Sequence, residues 1–169
     1  MNKINVFVEN IYENYEFDEV KAYNDAIKIT DFLFSQDEVM NNSCLAEEEY
    51  EQVFFDIVFM NNEEIHKVNC EYRNKDCPTD VITFAMFADS PEEERYIFDG
   101  EVHLGEIMVS LDKIEEQAKE NNVTFEQELH YIVAHGVLHL LGFDHQTEPE
   151  YNFMVEYQNK AKVAVNEQI

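Results

Sequence analysis

Positive charge is scarce in this chain. Among its 169 residues, 11 are Lys or Arg and 37 are Asp or Glu, so the formal net charge is -26 at pH 7. Such a balance favours solubility and repels polyanions over most of the surface. A nucleic-acid partner normally calls for a basic patch. Binding of RNA would therefore require the few cations to be concentrated at one site, and Lys67, Arg73 and Lys75 do fall within one short stretch.

Cysteines and long apolar segments are also few. The three cysteines, Cys44, Cys70 and Cys77, are odd in number and include no C-x-x-C pair, which argues against a disulfide framework and a cysteine zinc site. No apolar run approaches the roughly 18 to 20 residues needed to span a membrane. Acidic residues follow the N-terminus too soon for a signal peptide. We therefore expect a cytoplasmic protein with reduced thiols and no membrane partner.

The length favours a single domain over residues 1–169, large enough to bury a core. Alternating or dense apolar residues predict the strands, and apolar residues at helical spacing predict the helices. The predicted strands are 3–8, 52–60, 81–87 and 104–109, and the predicted helices are 18–34, 63–72, 110–120, one from 124 and one opening at 147–150. Polar segments 35–51 and 88–103 are predicted to be loops. This order predicts an α+β domain with a small mixed four-stranded sheet packed with helices.

The helix that follows Thr124 is predicted to be the buried centre of the fold. Thr124 and Gln127 fit a capping box, in which each side chain bonds the backbone N–H of the other residue. The helix is apolar on most of its circumference, through Leu129, Ile132, Val133, Val137, Leu140 and Leu141. It also carries His135 and His139 near its C-terminal end. In the last helix, the tail after Val163 is predicted to be frayed.

A histidine block at 135–145 holds three of the six histidines and two of the four glycines. His135 and His139 are four residues apart, so they share one helix face and can reach one metal ion. Gly142 predicts the helix end, because glycine accepts the left-handed conformation found there. The chain can then turn back and bring His145 in as a third ligand. Three protein ligands with an open fourth position are typical of a catalytic zinc site, whereas a structural site has four.

The same spacing is close to the metzincin protease pattern H-E-x-x-H-x-x-G-x-x-H. The chain matches every position except the second, where Gly136 stands in place of the glutamate that acts as general base. Glycine has no side chain that could move a proton. Met154 falls within a predicted helix, so the Met-turn is not evident either. The sequence thus predicts a similar metal cage without the peptidase machinery.

Two further stretches complete a pattern with the histidine block. The first is Tyr72-Arg73-Asn74-Lys75-Asp76, continuing through Pro78-Thr79-Asp80-Val81-Ile82-Thr83-Phe84, and the second is Leu104-Gly105-Glu106-Ile107. Over about residues 53–158, the three stretches together resemble the YbeY family of bacterial rRNA-maturation endoribonucleases. The histidine block alone is moderately specific, and the combination is highly specific. The family often has Asp where Glu106 stands, which is a mild departure.

The resemblance implies a single-strand-specific, zinc-dependent endoribonuclease that acts on the 3′ end of 16S rRNA and in ribosome quality control. It implies one zinc ion per chain, held by His135, His139 and His145, with His135 and Arg73 as catalytic residues. The implied partners are single-stranded RNA, 16S rRNA and the small ribosomal subunit, with ribosome-associated proteins as a further class. Arg73 could neutralise phosphate charge, because its planar fork matches phosphate bidentately. From the residues alone, a surface salt bridge to Glu71 or Asp76 is the more ordinary role for Arg73.

Several alternatives stay open at this level. Asp80 and Asp144 could each orient a ligand histidine as a carboxylate partner or serve as a turn residue. His103 and His130 lie outside the pattern and are predicted to be structural. Two other function classes also fit the residues. One is a metzincin-like metal-dependent hydrolase or protease, and the other is a non-enzymatic ribosome assembly factor that contains structural zinc.

Overall fold

The computed structural model describes residues 2–167. It contains a mixed four-stranded sheet. Its strand order is β1-β2-β4-β3. Strands β1 (Lys3–Asn10), β2 (Gln52–Met60) and β4 (Glu101–Ser110) are parallel to one another, and the short β3 (Val81–Phe84) pairs antiparallel with β4. The α+β class and the small mixed four-stranded sheet predicted from the sequence are therefore confirmed.

Helices alternate with these strands along the chain, and most of them contact the sheet. They are α1 (Glu19–Phe34), α2 (Asp37–Asn41), α3 (Asn62–Arg73), α4 (Met86–Asp89), α5 (Leu111–Glu120), α6 (Phe125–Leu140) and α7 (Glu148–Asn166). The longer helices begin at capping residues whose side chains accept a backbone N–H from three residues further on. Thr124 forms the expected capping box with Gln127, and Thr147 forms another with Glu150. Within residues 2–167, no helix combines the length and the apolar character needed to cross a membrane.

Helix α6 lies at the centre of the core, as predicted, and packs against α1, α5, α7 and the sheet. Its residues Ala134, Val137, Leu138 and Leu140 are completely buried. Gly136 permits this close packing, since a Cβ atom there would lie 2.8 Å from both Cδ1 and Cγ2 of Ile107 on β4. The packing of helix on sheet therefore explains why glycine occupies this position.

One buried polar pair joins α6 to α1. His130 Nε2 lies 2.8 Å from Asp25 Oδ2, and both residues are buried. Burial raises the pKa of the Asp25 carboxyl, but hydrogen bonds from Lys21 and His130 outweigh it and hold that pKa below its usual value of 3.8. Asp25 is therefore an ionised partner of the histidine at neutral pH. This contact accords with the structural role expected of His130.

Two predicted segments are wrong in part. The predicted strand 81–87 is too long, and the predicted loop 88–103 contains regular structure. β3 ends at Phe84, and the chain enters α4 at Met86 instead of continuing extended to residue 87. The β2–β4 register shifts beside Leu104, so this bulge interrupts the edge to which β3 would have had to pair. The 88–103 segment also contains a short 3-10 helix (Glu92–Glu94), and residues 101–103 already belong to β4. The polar residues Glu101 and His103 made the start of β4 read as loop in the sequence.

Two further boundaries differ from the sequence prediction. Segment 35–51 contains the five-residue helix α2, which the completely buried Val39 anchors in the core. Helix α7 continues to Asn166, past the point at which fraying was expected. Val165 is buried, and this tertiary contact stabilises the last turn. Residues 168–169 of the predicted frayed tail lie outside the described residues.

Candidate metal centre

The three histidines of the block come together at the end of α6. Each can offer one ring nitrogen, and these three nitrogen atoms all lie within 4.8 Å of one another. The ring centroids of His135 and His139 are 4.5 Å apart, and the His145 centroid lies 5.4 Å and 5.2 Å from them. Three imidazoles that converge in this way form a donor set that suits zinc and other divalent transition metals. The histidines could therefore hold one metal ion.

A Schellman turn at the end of α6 brings the third histidine back towards the first two. Gly142 adopts a φ of 98°. Its N–H donates to the carbonyl of His139 over 3.0 Å, and the N–H of Phe143 donates to the carbonyl of Leu138 over 3.0 Å. These two bonds define the motif, in which a left-handed residue reverses the chain. The predicted helix stop thus also delivers His145 to the site.

A glutamine on α7 orients the first histidine. Gln158 is 3% exposed, and its Oε1 lies 3.2 Å from His135 Nδ1. Its Nε2 donates to the carbonyl of Tyr131 over 3.3 Å, so the amide oxygen must face the imidazole. His135 Nδ1 therefore carries a proton and donates to Gln158, which leaves Nε2 with a free lone pair. A partner of this kind fixes the tautomer and orientation of a ligating histidine.

Burial keeps two of these histidines neutral. Desolvation is the largest cause lowering the pKa of His135, and it is followed by the opposing hydrogen bond to Gln158. Desolvation, with repulsion from His135 and His145, lowers the pKa of His139 to about 4. Imidazoles must be unprotonated to bind a metal. Both side chains are thus in the ligating form at neutral pH.

The three histidines line one wall of a cavity of about 610 Å³. Arg73, at the end of α3, lines the same cavity together with residues of β3. Among residues 2–167, no ion pair involves Arg73, so the structure does not support a salt bridge to Glu71 or Asp76. The arrangement brings an exposed guanidinium and three metal-type ligands to a single hollow.

The two ambiguous carboxylates also border this cavity. Asp144 Oδ1 accepts the backbone N–H of His145 over 2.8 Å, as a turn residue does. Asp80 Oδ1 accepts the N–H of Val81 over 2.7 Å, and its Oδ2 accepts from Gln117 over 3.3 Å. Both carboxylates are therefore engaged in positioning backbone or side-chain groups around the cavity, and neither is hydrogen-bonded to a histidine ring.

The sequence analysis did not identify Gln158 as a residue of the site, although its position gave a weak signal. It lies between Tyr157 and Ala161 on the buried side of α7, where a polar residue needs a partner. That signal marks a buried amide, but it does not say which group the amide meets. The contact joins residues 23 positions apart, on two helices.

Comparisons with known proteins agree along most of the chain. A family model described as endoribonuclease YbeY matches residues 19–165. An endoribonuclease YbeY of Fusobacterium nucleatum subsp. nucleatum is 35% identical over 155 residues, which cover 91% of this chain and 82% of the relative. That of Acetivibrio thermocellus is 33% identical over 168 residues, covering 95% and 96%. A solution structure of a Thermotoga maritima protein gives a TM-score of 0.54 at 27% identity and covers 96% of this chain and 90% of that one.

Proposed function

The chain belongs to the YbeY family of endoribonucleases, as its three sequence stretches predicted, and from this membership we propose that it cleaves single-stranded RNA with a bound zinc ion. The observation that carries the proposal is the shared cavity of Arg73, His135, His139 and His145. In detail, we propose that the three histidines of each chain hold one catalytic zinc ion, and that the protein acts in the cytoplasm on the small ribosomal subunit, in 16S rRNA 3′-end maturation and ribosome quality control.

The three histidines would hold the zinc through their ring nitrogens. Gln158 holds His135 in the tautomer whose Nε2 lone pair is free. When bound, zinc supplies Lewis acidity that polarises a phosphoryl oxygen. The low pKa of His139 means that protons do not compete with the metal at neutral pH.

Arg73 would bind the RNA phosphate. Its guanidinium is exposed at the cavity and has no carboxylate partner among the described residues, so it is available to an anion. The planar guanidinium donates two parallel N–H bonds to a phosphate, which a lysine cannot do. In a chain of net charge -26, such a cation also selects where a polyanion can approach. Arg73 therefore orients the scissile phosphate and offsets its charge.

The deciding experiment measures metal content and RNA cleavage on the same samples. The wild type and a His135→Ala, His139→Ala double variant are assayed for bound zinc and for cleavage of single-stranded RNA spanning a 16S rRNA 3′ end. We expect the double variant to lose zinc at this site together with cleavage, while a thermal melt shows that it still folds. Unfolding of the variant would instead indicate structural zinc, as in an assembly factor. Zinc-loaded wild type that leaves this RNA uncut would contradict the proposal.

Arg73 is tested separately from the metal. Arg73→Ala is expected to keep its zinc and to lose about 10²-fold or more in kcat, the typical effect of removing a donor that stabilises developing charge. Arg73→Lys should recover only part of that loss, because the bidentate contact is gone. Lys3→Ala removes an exposed cation that does not line the cavity, and it should cleave normally. If Lys3→Ala and Arg73→Ala lost the same activity, the effect would come from the overall charge of the protein and not from a specific role of Arg73.

The protease alternative is less consistent with the site. Gly136 occupies the position of the peptidase glutamate, and a side chain there would collide with Ile107. The chain therefore has neither the general base nor the space for one at this position. A casein assay with zinc-loaded protein should show no hydrolysis under conditions in which RNA is cut.

A further inference from the structure

A second cluster in the chain repeats the spacing of the histidine block. His66, Cys70 and Asp76 stand at i, i+4 and i+10, as do His135, His139 and His145. The first two members again lie on one helix face, here on α3. A left-handed residue again precedes the third member, because Asn74 adopts a φ of 53° after the helix. The two clusters therefore share a local geometry, although only one is rich in histidine.

The ligand atoms of this second cluster are already close together. One atom from each of His66, Cys70 and Asp76 lies within 4.8 Å of the others. Cys70 Sγ is 3.6 Å from Asp76 Oδ1, which matches the separation of about 3.6 Å expected for sulfur and oxygen around tetrahedral zinc. His66 Nε2 is 2.8 Å from the same oxygen, whereas zinc would require about 3.3 Å. An opening of about 0.5 Å between two exposed side chains is sufficient.

The surroundings of the cluster favour a cation. The hollow, of about 550 Å³, is lined by Glu63, His66, Lys67, Cys70, Glu71 and Asp76. A hydrogen bond from His66, followed by one from Cys70, lowers the pKa of the Asp76 carboxyl, so this ligand is ionised. Partial desolvation and the bond to Asp76 raise the pKa of the Cys70 thiol. Metal binding would therefore release the thiol proton to solvent as the thiolate forms.

We propose that His66, Cys70 and Asp76 form a second metal site, which binds zinc or another borderline divalent cation. Imidazole, thiolate and carboxylate are together a donor set for such metals and not for magnesium or calcium, which take oxygen ligands. The site lies on the surface, and the three side chains leave a coordination position open to water. It is separate from the three histidines, and binding of a metal there does not require that the protein cleave RNA.

A metal at this site would connect the end of α3 to the segment that follows it. Two ligands belong to the helix, and Asp76 belongs to the stretch after it, so Arg73 and Asn74 lie between ligands in the chain. Binding would hold Asp76 against the helix and reduce the conformational freedom of the residues in between. The second site would in this way restrain the backbone that carries the arginine of the cavity.

The alternative account is an ordinary surface ion pair between His66 and Asp76. The side chain of Asp76 is 92% exposed and that of His66 is 38% exposed, so such a pair would contribute little to stability. It needs no role for Cys70. The two accounts therefore differ on one point, which is whether the Cys70 sulfur coordinates an added metal.

Cobalt absorption tests this point directly, because a cobalt–thiolate bond gives a charge-transfer band in the near ultraviolet and imidazole ligands do not. Metal-free protein is titrated with Co²⁺ and, separately, with Zn²⁺ followed by elemental analysis. The set comprises the wild type, Cys70→Ser, the control Cys77→Ser, and the His135→Ala, His139→Ala double variant. Cys77 is the matched control, since it is also exposed and lies close in sequence. Thermal melts of the metal-free samples verify folding.

We expect the thiolate band in the wild type, in Cys77→Ser and in the double histidine variant, and its loss in Cys70→Ser. Zinc analysis should show one equivalent less in Cys70→Ser than in the wild type. His66→Ala and Asp76→Asn should each weaken binding at this site by at least tenfold and leave the histidine site loaded. Absence of the band in wild type, or its persistence in Cys70→Ser, would overturn the proposal. Neither result depends on whether the protein cuts RNA.

Discussion

Replacing Gly136 by alanine tests the packing of α6 on the sheet. Alanine should gain about 1 kcal/mol through helix propensity. Its methyl group, however, would lie 2.8 Å from two carbon atoms of Ile107, which is completely buried and has a stiff, β-branched side chain. Overpacking of this kind costs about 1–3 kcal/mol. We therefore expect Gly136→Ala to lower the free energy of unfolding by about 1 kcal/mol, although the same change stabilises most helices.

A double-mutant cycle separates this contact from other effects. Ile107→Val removes Cδ1, one of the two atoms at 2.8 Å, and alone should cost about 0.5–1.5 kcal/mol. In the alanine background the same truncation relieves the clash, so it should cost less. We expect a coupling free energy of about 0.5–1.5 kcal/mol, within the range for contacting residues.

Urea denaturation of the metal-free proteins measures each corner of the cycle, and the slope m should stay constant. Metal must be absent because binding to the folded state would shift the apparent stability. A control cycle pairs Gly136→Ala with Ile114→Val, which is equally buried but is not among the atoms nearest the added methyl. This control should be additive. Additivity within about 0.5 kcal/mol in the Ile107 cycle as well would refute the close-packing explanation.

Three further predictions concern polar contacts. Gln158→Leu should weaken zinc binding by about 10–100-fold in a chelator competition, whereas Gln158→Glu, which keeps an acceptor, should lose less; equal losses would contradict the orienting role. Asp25→Asn should destabilise the fold by about 1–3 kcal/mol at neutral pH, because His130 loses its charged partner. Since the pKa of Asp25 is lowered on folding, this difference should persist above about pH 3.8 and shrink as pH falls further; urea titrations at several pH values that show no shrinkage would contradict it. Tyr157→Phe should cost about 0.5–1.5 kcal/mol in urea denaturation, because the phenol donates to Glu38 over 2.8 Å, and a Glu38→Gln background should reduce that cost.

Local sequence signals were sufficient for the caps and for the convergence of the three histidines. Thr124 and Gln127 lie within one helical turn, so their reciprocal bonds follow from helix geometry alone. His135 and His139 share a face for the same reason, and Gly142 ends the helix where its spacing predicts. Signals of this kind involve neighbours along the chain and need no knowledge of the rest of the fold.

Other features depended on partners distant in sequence. Phe84 ends β3 because the bulge at Leu104 alters the strand beside it, and the alternating residues up to 87 carry no sign of this. The lack of a C-x-x-C motif made Cys70 appear incidental, since a mixed histidine, cysteine and aspartate cluster has no familiar spacing. The structure shows that this cluster resembles the histidine block, because a residue in the left-handed conformation follows the helix in both cases.

By itself, the sequence determined the class of the fold, the central helix, the convergence of three histidines and the family. The first three follow from periodicity, capping and short-range spacing, which operate over one or two helical turns. The family was identified by the resemblance of three sequence stretches. Only the tertiary structure decided that Arg73 lines the same cavity as the histidines, that Gln158 orients His135, and that Gly136 is required by Ile107. Each of these contacts joins segments that are far apart in the chain, and their distances are set by how helices and sheet pack around a common core.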